Sequence, residues 1–323
     1  MKTEIFLLIL ICKTLRFSAK NFANLAVKIK QIIKKFNAPE GPEGIPLEAF
    51  KTNSSLIKDN MLDYSKLTYQ VIDLSKAIGQ YLLTEIKTLK QSDVEEKGLH
   101  NLVTHVDKTA EKMIVDALSI LLPESGFIAE EGTSNKVGKE YNWIVDPLDG
   151  TTNFIHGVPL YCVSIALKRN DELVLGVIYE PNLNECFYTW KDSHSFLNGN
   201  IIHVSSIASI EKSLFATGFP YYGYTKLEGF MEFFVYLMKN SRGVRRLGSA
   251  AVDLAYVACG RFEGFYEYGL QPWDVAAGIL LVQNAGGKVF DFKGNSNYLF
   301  GEEIVAVNNY IADDFNKLIL EHF

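Results

Sequence analysis

The chain has little with which to build covalent or soft-metal chemistry. Its four cysteines (Cys12, Cys162, Cys186, Cys259) are scattered and form no C-x-x-C pair. That argues against a zinc ribbon or a disulfide framework and fits reduced thiols in a cytoplasmic protein. The six histidines show no H-E-x-x-H pattern, and no serine or cysteine stands in a nucleophile motif. Basic residues are outnumbered, 32 Lys+Arg against 38 Asp+Glu, so the chain lacks the positive footprint of a nucleic-acid binder. The apolar run Ile5 to Cys12 spans eight residues, too few to cross a membrane. Repeats and low-complexity tracts are absent. What is present is a 323-residue chain, 48% hydrophobic, long enough for one large core or two joined lobes.

Charge divides the chain unevenly. The first sixty residues hold ten Lys+Arg and five Asp+Glu; the remaining 263 hold 22 and 33. Ile5 to Cys12 could be the core of a signal peptide, but no small-x-small cleavage site follows. Leu25 to Phe36 reads as a basic amphipathic helix, and Ala38 to Pro46 as a breaker-rich linker. Residues 1–60 are therefore expected to be an extension outside the enzyme, with Met61 the true start and residues 61–323 the catalytic domain. A membrane-surface tether is the rival reading of the extension, although membrane association of the whole protein is not expected.

Periodicity outlines the remainder. Leu67, Val71, Leu74, Ile78 and Leu82 predict a helix over 64–86. A second helix is expected over 101–122, with Pro123 ending it. Strands are predicted at 126–129, 143–146, 162–169, 173–179 and 185–190, with turns at Asn170-Asp171-Glu172 and Asn198-Gly199-Asn200. The second half predicts helices at 230–239, 250–258, 275–284 and 311–322, and strands at 262–268, 288–291 and 304–308. Blocks of helix and strand without strict βαβ alternation indicate an α+β fold.

The segment Trp143 to Phe154 (WIVDPLDGTTNF) carries most of the chemistry. A buried strand ends at Asp146, and Pro147, lacking an N–H, is expected to stop its ladder. Asp149 follows round the turn on the same side. Gly150 permits a left-handed backbone or a close approach. The N–H groups of Gly150, Thr151 and Thr152 could form a small anion cradle if a helix begins there. Two carboxylates and an exposed carbonyl suit a hard cation such as Mg²⁺; an Asp-rich turn without metal is the plain alternative. Two other segments end apolar elements in acids. Glu130-Glu131 follows Phe127-Ile128-Ala129, and Asp274 in Pro272-Trp273-Asp274 is read as the N-cap of an apolar helix.

Together these segments resemble the inositol monophosphatase family of Mg²⁺-dependent, lithium-sensitive phosphatases. The motifs are Ala129-Glu130-Glu131, Trp143 to Phe154, Trp273 to Gly278 and Ala285-Gly286-Gly287, and the resemblance runs from near Met61 to the C-terminus. It implies a layered α-β-α-β-α sandwich of the sugar-phosphatase type, with two lobes and the metal site between them. It implies two or three Mg²⁺ ions held by Glu130, Asp146, the carbonyl of Leu148, Asp149 and Asp274. Catalytic roles fall on Glu130, Thr151 and Asp107, the last within Thr104-His105-Val106-Asp107. Substrate contacts fall on Asp149, Gly150, Thr151, Thr152, Ala250 and Glu267. The implied reaction is hydrolysis of a phosphate monoester by activated water, without a phospho-enzyme.

Glu267 and the Gly248-Ser249-Ala250 segment favour myo-inositol 1-phosphate or a related phosphorylated polyol or sugar. The same scaffold serves fructose 1,6-bisphosphate, histidinol phosphate and 3′-phosphoadenosine 5′-phosphate. A regulatory binding protein with a retained metal site is the non-enzyme alternative. Arg245 and Arg246 are read as steering an anion, bridging subunits or decorating the surface. The resemblance also implies a homodimer, to which the aromatic helix Phe230 to Tyr236 could contribute, although core burial accounts for that helix as well.

Overall fold

The computed structural model describes residues 57–58, 61–89, 94–98, 101–220 and 224–323. The readings of Ile5 to Cys12, Leu25 to Phe36 and Ala38 to Pro46 lie outside the described residues. The chain divides into two compact units, Met1–Leu62 and Asp63–Phe323. In the first, the described backbone is an antiparallel pair, β1 (Ile57–Lys58) with β2 (Met61–Leu62).

Helix α1 (Tyr64–Glu85) starts where Asp63 accepts the Lys66 amide at 3.0 Å, and it buries Leu67, Val71, Leu74, Ile78 and Leu82 along one face. Gly79 lets that face press on the sheet: a Cβ there would lie 2.5 Å from the Tyr179 ring. The next helix begins later than its pattern suggested. Asn101–Thr104 is strand β4, paired antiparallel with β3 (Val94–Gly98), and α2 runs His105–Leu121. Thr104 accounts for the difference. Its hydroxyl accepts the Val106 amide at 3.0 Å, and Asp107 reaches back to the Thr104 amide at 2.9 Å, so a reciprocal cap fixes the start at residue 105.

A seven-stranded sheet forms the first β layer, in the order β11-β10-β9-β8-β7-β6-β5. Its members are β5 (Gly126–Ala129), β6 (Tyr141–Asp149), β7 (Cys162–Arg169), β8 (Glu172–Glu180), β9 (Glu185–Trp190), β10 (Ser195–Leu197) and β11 (Asn200–Ile202). Only the β5–β6 pair is parallel. Both predicted turns are present, with Asn170 and Asn198 at φ values of 52° and 48°. Pro147 does not end the ladder, contrary to expectation. Strand β6 pairs with β7 through Asp146↔Ser164, slips register, and rejoins at Asp149↔Cys162. A residue without an N–H is accommodated at such a bulge.

The second sheet has the order β13-β12-β14-β16-β15, from β12 (Leu214–Thr217), β13 (Gly243–Arg245), β14 (Gly264–Tyr268), β15 (Lys288–Phe290) and β16 (Glu303–Val307). Between the sheets lie α4 (Ala250–Ala258) and α5 (Pro272–Asn284), separated in sequence from the short α3 (Thr151–Ile155). All of Ala250–Ala258 is buried, as is Val275 to Val282. A helix that is apolar all round needs cover on every side, which two sheets provide. At Gly176 a Cβ would meet the Ala277 backbone oxygen at 2.9 Å, so the glycine lets α5 settle on β8.

The outer layers are α1 with α2, and helix Leu227–Asn240 with helix Ala312–His322. The result is the expected α-β-α-β-α order. Phe230, Phe233 and Leu237 point inward to Phe215, Tyr266 and Phe315. Core packing thus accounts for the inner half of that aromatic helix, while Met231, Val235 and Met238 remain exposed. Among the described residues no helix is long and apolar enough to cross a membrane. Cys162, Cys186 and Cys259 are free thiols.

Candidate metal centre

The bulge in β6 decides where the acids go. After Asp146 the chain turns through Pro147-Leu148, and the Leu148 amide donates to Asp146 Oδ1 at 2.9 Å. The register slip carries Asp149 toward the same place instead of to a successive position on the pleat. Asp146 and Asp149 meet Asp274 there: one oxygen from each lies within 4.8 Å of the others. Asp274 is not the N-cap predicted for its helix. Gln271 occupies that position, and Asp274, in the first turn, accepts the Gln271 amide on Oδ2 at 2.6 Å. Proline at the helix start leaves no amide unpaired there.

Glu130 lies beyond the end of β5 and is not one of the three convergent residues. It borders them, sharing a hydrogen bond with Asp146. Burial, then the charges of Asp274 and Glu131, push its carboxyl up to about 8. Asp146 is held well above the carboxylate range by burial, then by Glu130, Asp149 and Asp274. Asp274 is raised well above that range by burial and by Asp149. Asp149 is raised by burial, with Ser249 and the Ala251 amide opposing the shift. Four acids that resist ionisation together are a poor resting arrangement for the bare protein. A divalent cation would reverse the sign of the local field. The donors are all oxygens, which suits a hard ion such as Mg²⁺ rather than zinc or copper.

Beside the aspartates stands a hydroxyl. Thr151 Oγ1 is 3.1 Å from Asp107 Oδ1 and 3.0 Å from the Leu148 carbonyl oxygen. Asp107 is buried, and its other oxygen accepts the Thr104 amide and hydroxyl at 2.9 and 2.7 Å. Burial raises its pKa, against the pull of Thr104 and Thr151. The Leu148 carbonyl expected to bind metal therefore faces the Thr151 hydroxyl. Gly150, at φ 92°, leads into the five-residue helix α3, which begins at Thr151, and Thr152 is exposed.

The expected substrate-side residues lie across from this turn. Asp149 Oδ2 accepts Ser249 Oγ at 2.6 Å and the Ala251 amide at 2.7 Å, so one of its oxygens ties the first sheet to the start of α4 beside Ala250. Asn153 adds a second tie, donating to the Leu160 and Leu247 carbonyls, each at 2.8 Å. Glu267 is buried in β14. Burial brings its carboxyl up to about 8, opposed by Arg246. Arg246 is thus not merely decoration: its guanidinium lies 5.7 Å over the Phe219 ring, within the field of Glu267.

Several residues here escaped the sequence reading. Ser249 was visible only as part of a small-residue segment. Cys162, buried and with a thiol pushed well up by burial and Asp149, packs 3.9 Å from Asp149 Oδ2. Glu111 is fully buried and accepts the Glu131 and Thr133 amides, both at 2.7 Å, which holds the loop bearing Glu130. A signal existed for Glu111: an acid on the apolar face of a helix, between Ala110 and Ile114.

A model of the inositol monophosphatase family matches residues 63–322. The chain belongs to that family. The Nus factor SuhB of Pseudomonas aeruginosa is 42% identical over 239 residues, covering 72% of this chain and 88% of that protein. The inositol-1-monophosphatase of Mesorhizobium japonicum is 40% identical over 256 residues, covering 79% and 96%. The crystal structure of the extragenic suppressor protein SuhB from Bartonella henselae superposes with a TM-score of 0.75 at 36% identity, covering 80% of this chain and 100% of that one. The layered fold of the family is therefore the fold of this chain.

Proposed function

We propose that this protein is a Mg²⁺-dependent phosphatase that hydrolyses myo-inositol 1-phosphate to myo-inositol and phosphate. The reading is carried by the Thr151 hydroxyl, within hydrogen-bond distance of Asp107 and beside three convergent aspartates. Asp146, Asp149, Asp274, Glu130 and the Leu148 carbonyl would hold the metal. When bound, Mg²⁺ supplies Lewis acidity and neutralises phosphate charge.

The chain's own groups do the positioning. Asp107 accepts a hydrogen bond from the Thr151 hydroxyl, which leaves an Oγ1 lone pair to orient a water. Glu130, raised to about 8 in the bare protein, would be ionised beside a bound cation, and as a carboxylate it orients that water and accepts its proton. The water oxygen bonds to phosphorus, the ester P–O bond breaks, and the departing alkoxide takes up a proton from solvent while Glu130 returns the one it accepted. The N–H groups at Gly150 to Thr152 would cradle the phosphate, while the Ala250 backbone and the Glu267 carboxylate receive the polyol hydroxyls.

Phosphate release from inositol 1-phosphate, fructose 1,6-bisphosphate, histidinol phosphate and phosphoadenosine phosphate, each with Mg²⁺ and with EDTA, tests the reading. It fails if inositol 1-phosphate ranks among the poorest substrates or if EDTA leaves turnover intact. The similarity to a Nus factor supports a second reading, a role exercised through partner macromolecules. An Asp149→Asn variant that loses turnover yet retains full biological function would favour it.

A further inference from the structure

One wall of the site is made by a residue that the reaction leaves out. Glu267 lies in β14 and is 7% exposed. Its charge and those of Asp149 and Asp274 act on one another, which puts its carboxyl at the border of the metal centre. Beside it runs β12, parallel to β14, with Thr217 opposite Tyr266. The next residue along β12, Gly218, therefore comes beside Glu267, and no space is left between them. A Cβ built on Gly218 would fall inside the carboxyl group, overlapping Oε1, Cδ and Oε2 together.

Backbone conformation does not call for glycine here. Gly218 is not at a positive φ, so alanine could take up the same backbone. What the glycine supplies is room. Nor is the strand free to back away. Thr217 Oγ1 donates to the Tyr266 carbonyl at 2.7 Å, which ties β12 to β14 at the preceding residue. The Phe219 ring, on the following residue, packs edge-on against Phe230 and Phe234, with centroids 6.3 and 6.4 Å away. The overlapped atoms all belong to the end of one side chain. An added methyl group would thus be answered by movement of the Glu267 carboxyl rather than of either strand.

We propose that Gly218 is a positioning residue: by seating the Glu267 carboxyl against bare backbone, it fixes where substrate hydroxyls are received and so sets the preference for polyol phosphates. The proposal rests on the phosphatase reading above and deepens it.

The test compares inositol 1-phosphate with p-nitrophenyl phosphate, whose leaving group has no hydroxyl to receive. In Gly218→Ala, KM for inositol 1-phosphate rises roughly ten- to hundredfold, the scale of one charge-assisted hydrogen bond, while kcat stays within about threefold. kcat/KM for p-nitrophenyl phosphate stays within about twofold. A methyl group that merely narrowed the site would act whether or not the carboxyl is present. Placed in Glu267→Ala, where the carboxyl is gone, Gly218→Ala therefore adds less than about twofold to KM for inositol 1-phosphate. An unchanged KM in the single variant, equal losses on both substrates, or losses that multiply in the double variant would each overturn the proposal. Should Gly218→Ala not fold, Gly218→Ala with Glu267→Asp withdraws the carboxyl by one methylene. Its KM then matches that of Glu267→Asp alone within about twofold, and a larger loss counts against the proposal. If the wild type ignores inositol 1-phosphate, the substrate reading falls, and the same variants on the best polyol ester of the panel still decide the role of Gly218.

Discussion

Stripped of divalent metal, the protein should lose stability as pH rises, and Mg²⁺ should restore what is lost. Glu130 moves from an ordinary 4.5 to about 8 in the folded chain, because burial and neighbouring negative charge oppose its ionisation. A carboxyl raised on folding contributes stability that is fully present below its unfolded value and is lost as pH climbs through the folded one. The relevant window thus runs from 4.5 to about 8. At 1.36 kcal/mol per pH unit, complete ionisation of Glu130 alone would cost on the order of 5 kcal/mol. Its partial exposure and its hydrogen bond with Asp146 reduce that to about 2–4 kcal/mol. For a body of this size the loss corresponds to a fall in Tm of roughly 5–15 °C.

The assay is thermal unfolding in EDTA and in saturating Mg²⁺ across that window. Mg²⁺ should raise Tm little at the acid end, where protons compete for the ligands, and most at the alkaline end. Asp149→Asn is the internal control. Its side-chain oxygen can still accept from Ser249 and Ala251, as Asp149 Oδ2 does now, but one charge is gone. That variant should show a shallower pH profile in EDTA, lose most of the Mg²⁺ increment and nearly abolish turnover. A flat EDTA profile in the wild type, or a Mg²⁺ increment that ignores pH, would refute the argument that these acids repel one another in the bare protein.

Other expectations follow from single contacts. Thr151→Ala should lower kcat by roughly a hundredfold or more while leaving Mg²⁺ stabilisation unchanged, and Thr151→Ser should recover most of the loss because the hydroxyl is what Asp107 orients; a Ser variant as slow as Ala would contradict this. Glu111→Gln replaces an acceptor of two amides with a group that can serve only one, costing about 1–3 kcal/mol and weakening Mg²⁺ stabilisation through the Glu130 loop. Titration of Tm against Mg²⁺ would expose an unaffected loop. Gly79→Ala should cost about 1–3 kcal/mol in urea unfolding without changing KM, since the Tyr179 ring in its way is pinned by a hydrogen bond to Asn184. Unchanged stability would mean that helix and sheet can separate freely there.

Much of this molecule was legible in its residues. The period of Leu67 to Leu82 gave α1. The hairpin turns were marked by asparagine and glycine, and Ala250 to Ala258 read as a helix. The family motifs pointed to an all-oxygen centre. The misplaced details have local causes: Thr104 starts α2 at His105, and Gln271 rather than Asp274 caps its helix, because reciprocal caps depend on side-chain reach that periodicity does not register.

What the sequence determined by itself was the set of elements and the chemical kind of the site, since backbone preference and ligand hardness belong to individual residues and their near neighbours. Only the tertiary structure decided the rest. The bulge after Asp146 exists because β7 is there to resume pairing with Asp149. Asp274 reaches the other aspartates because two sheets clamp its helix from both sides. Glu111 matters because packing removed it from water, and a carboxyl's cost and use are set by what surrounds it in space rather than by what precedes it in the chain.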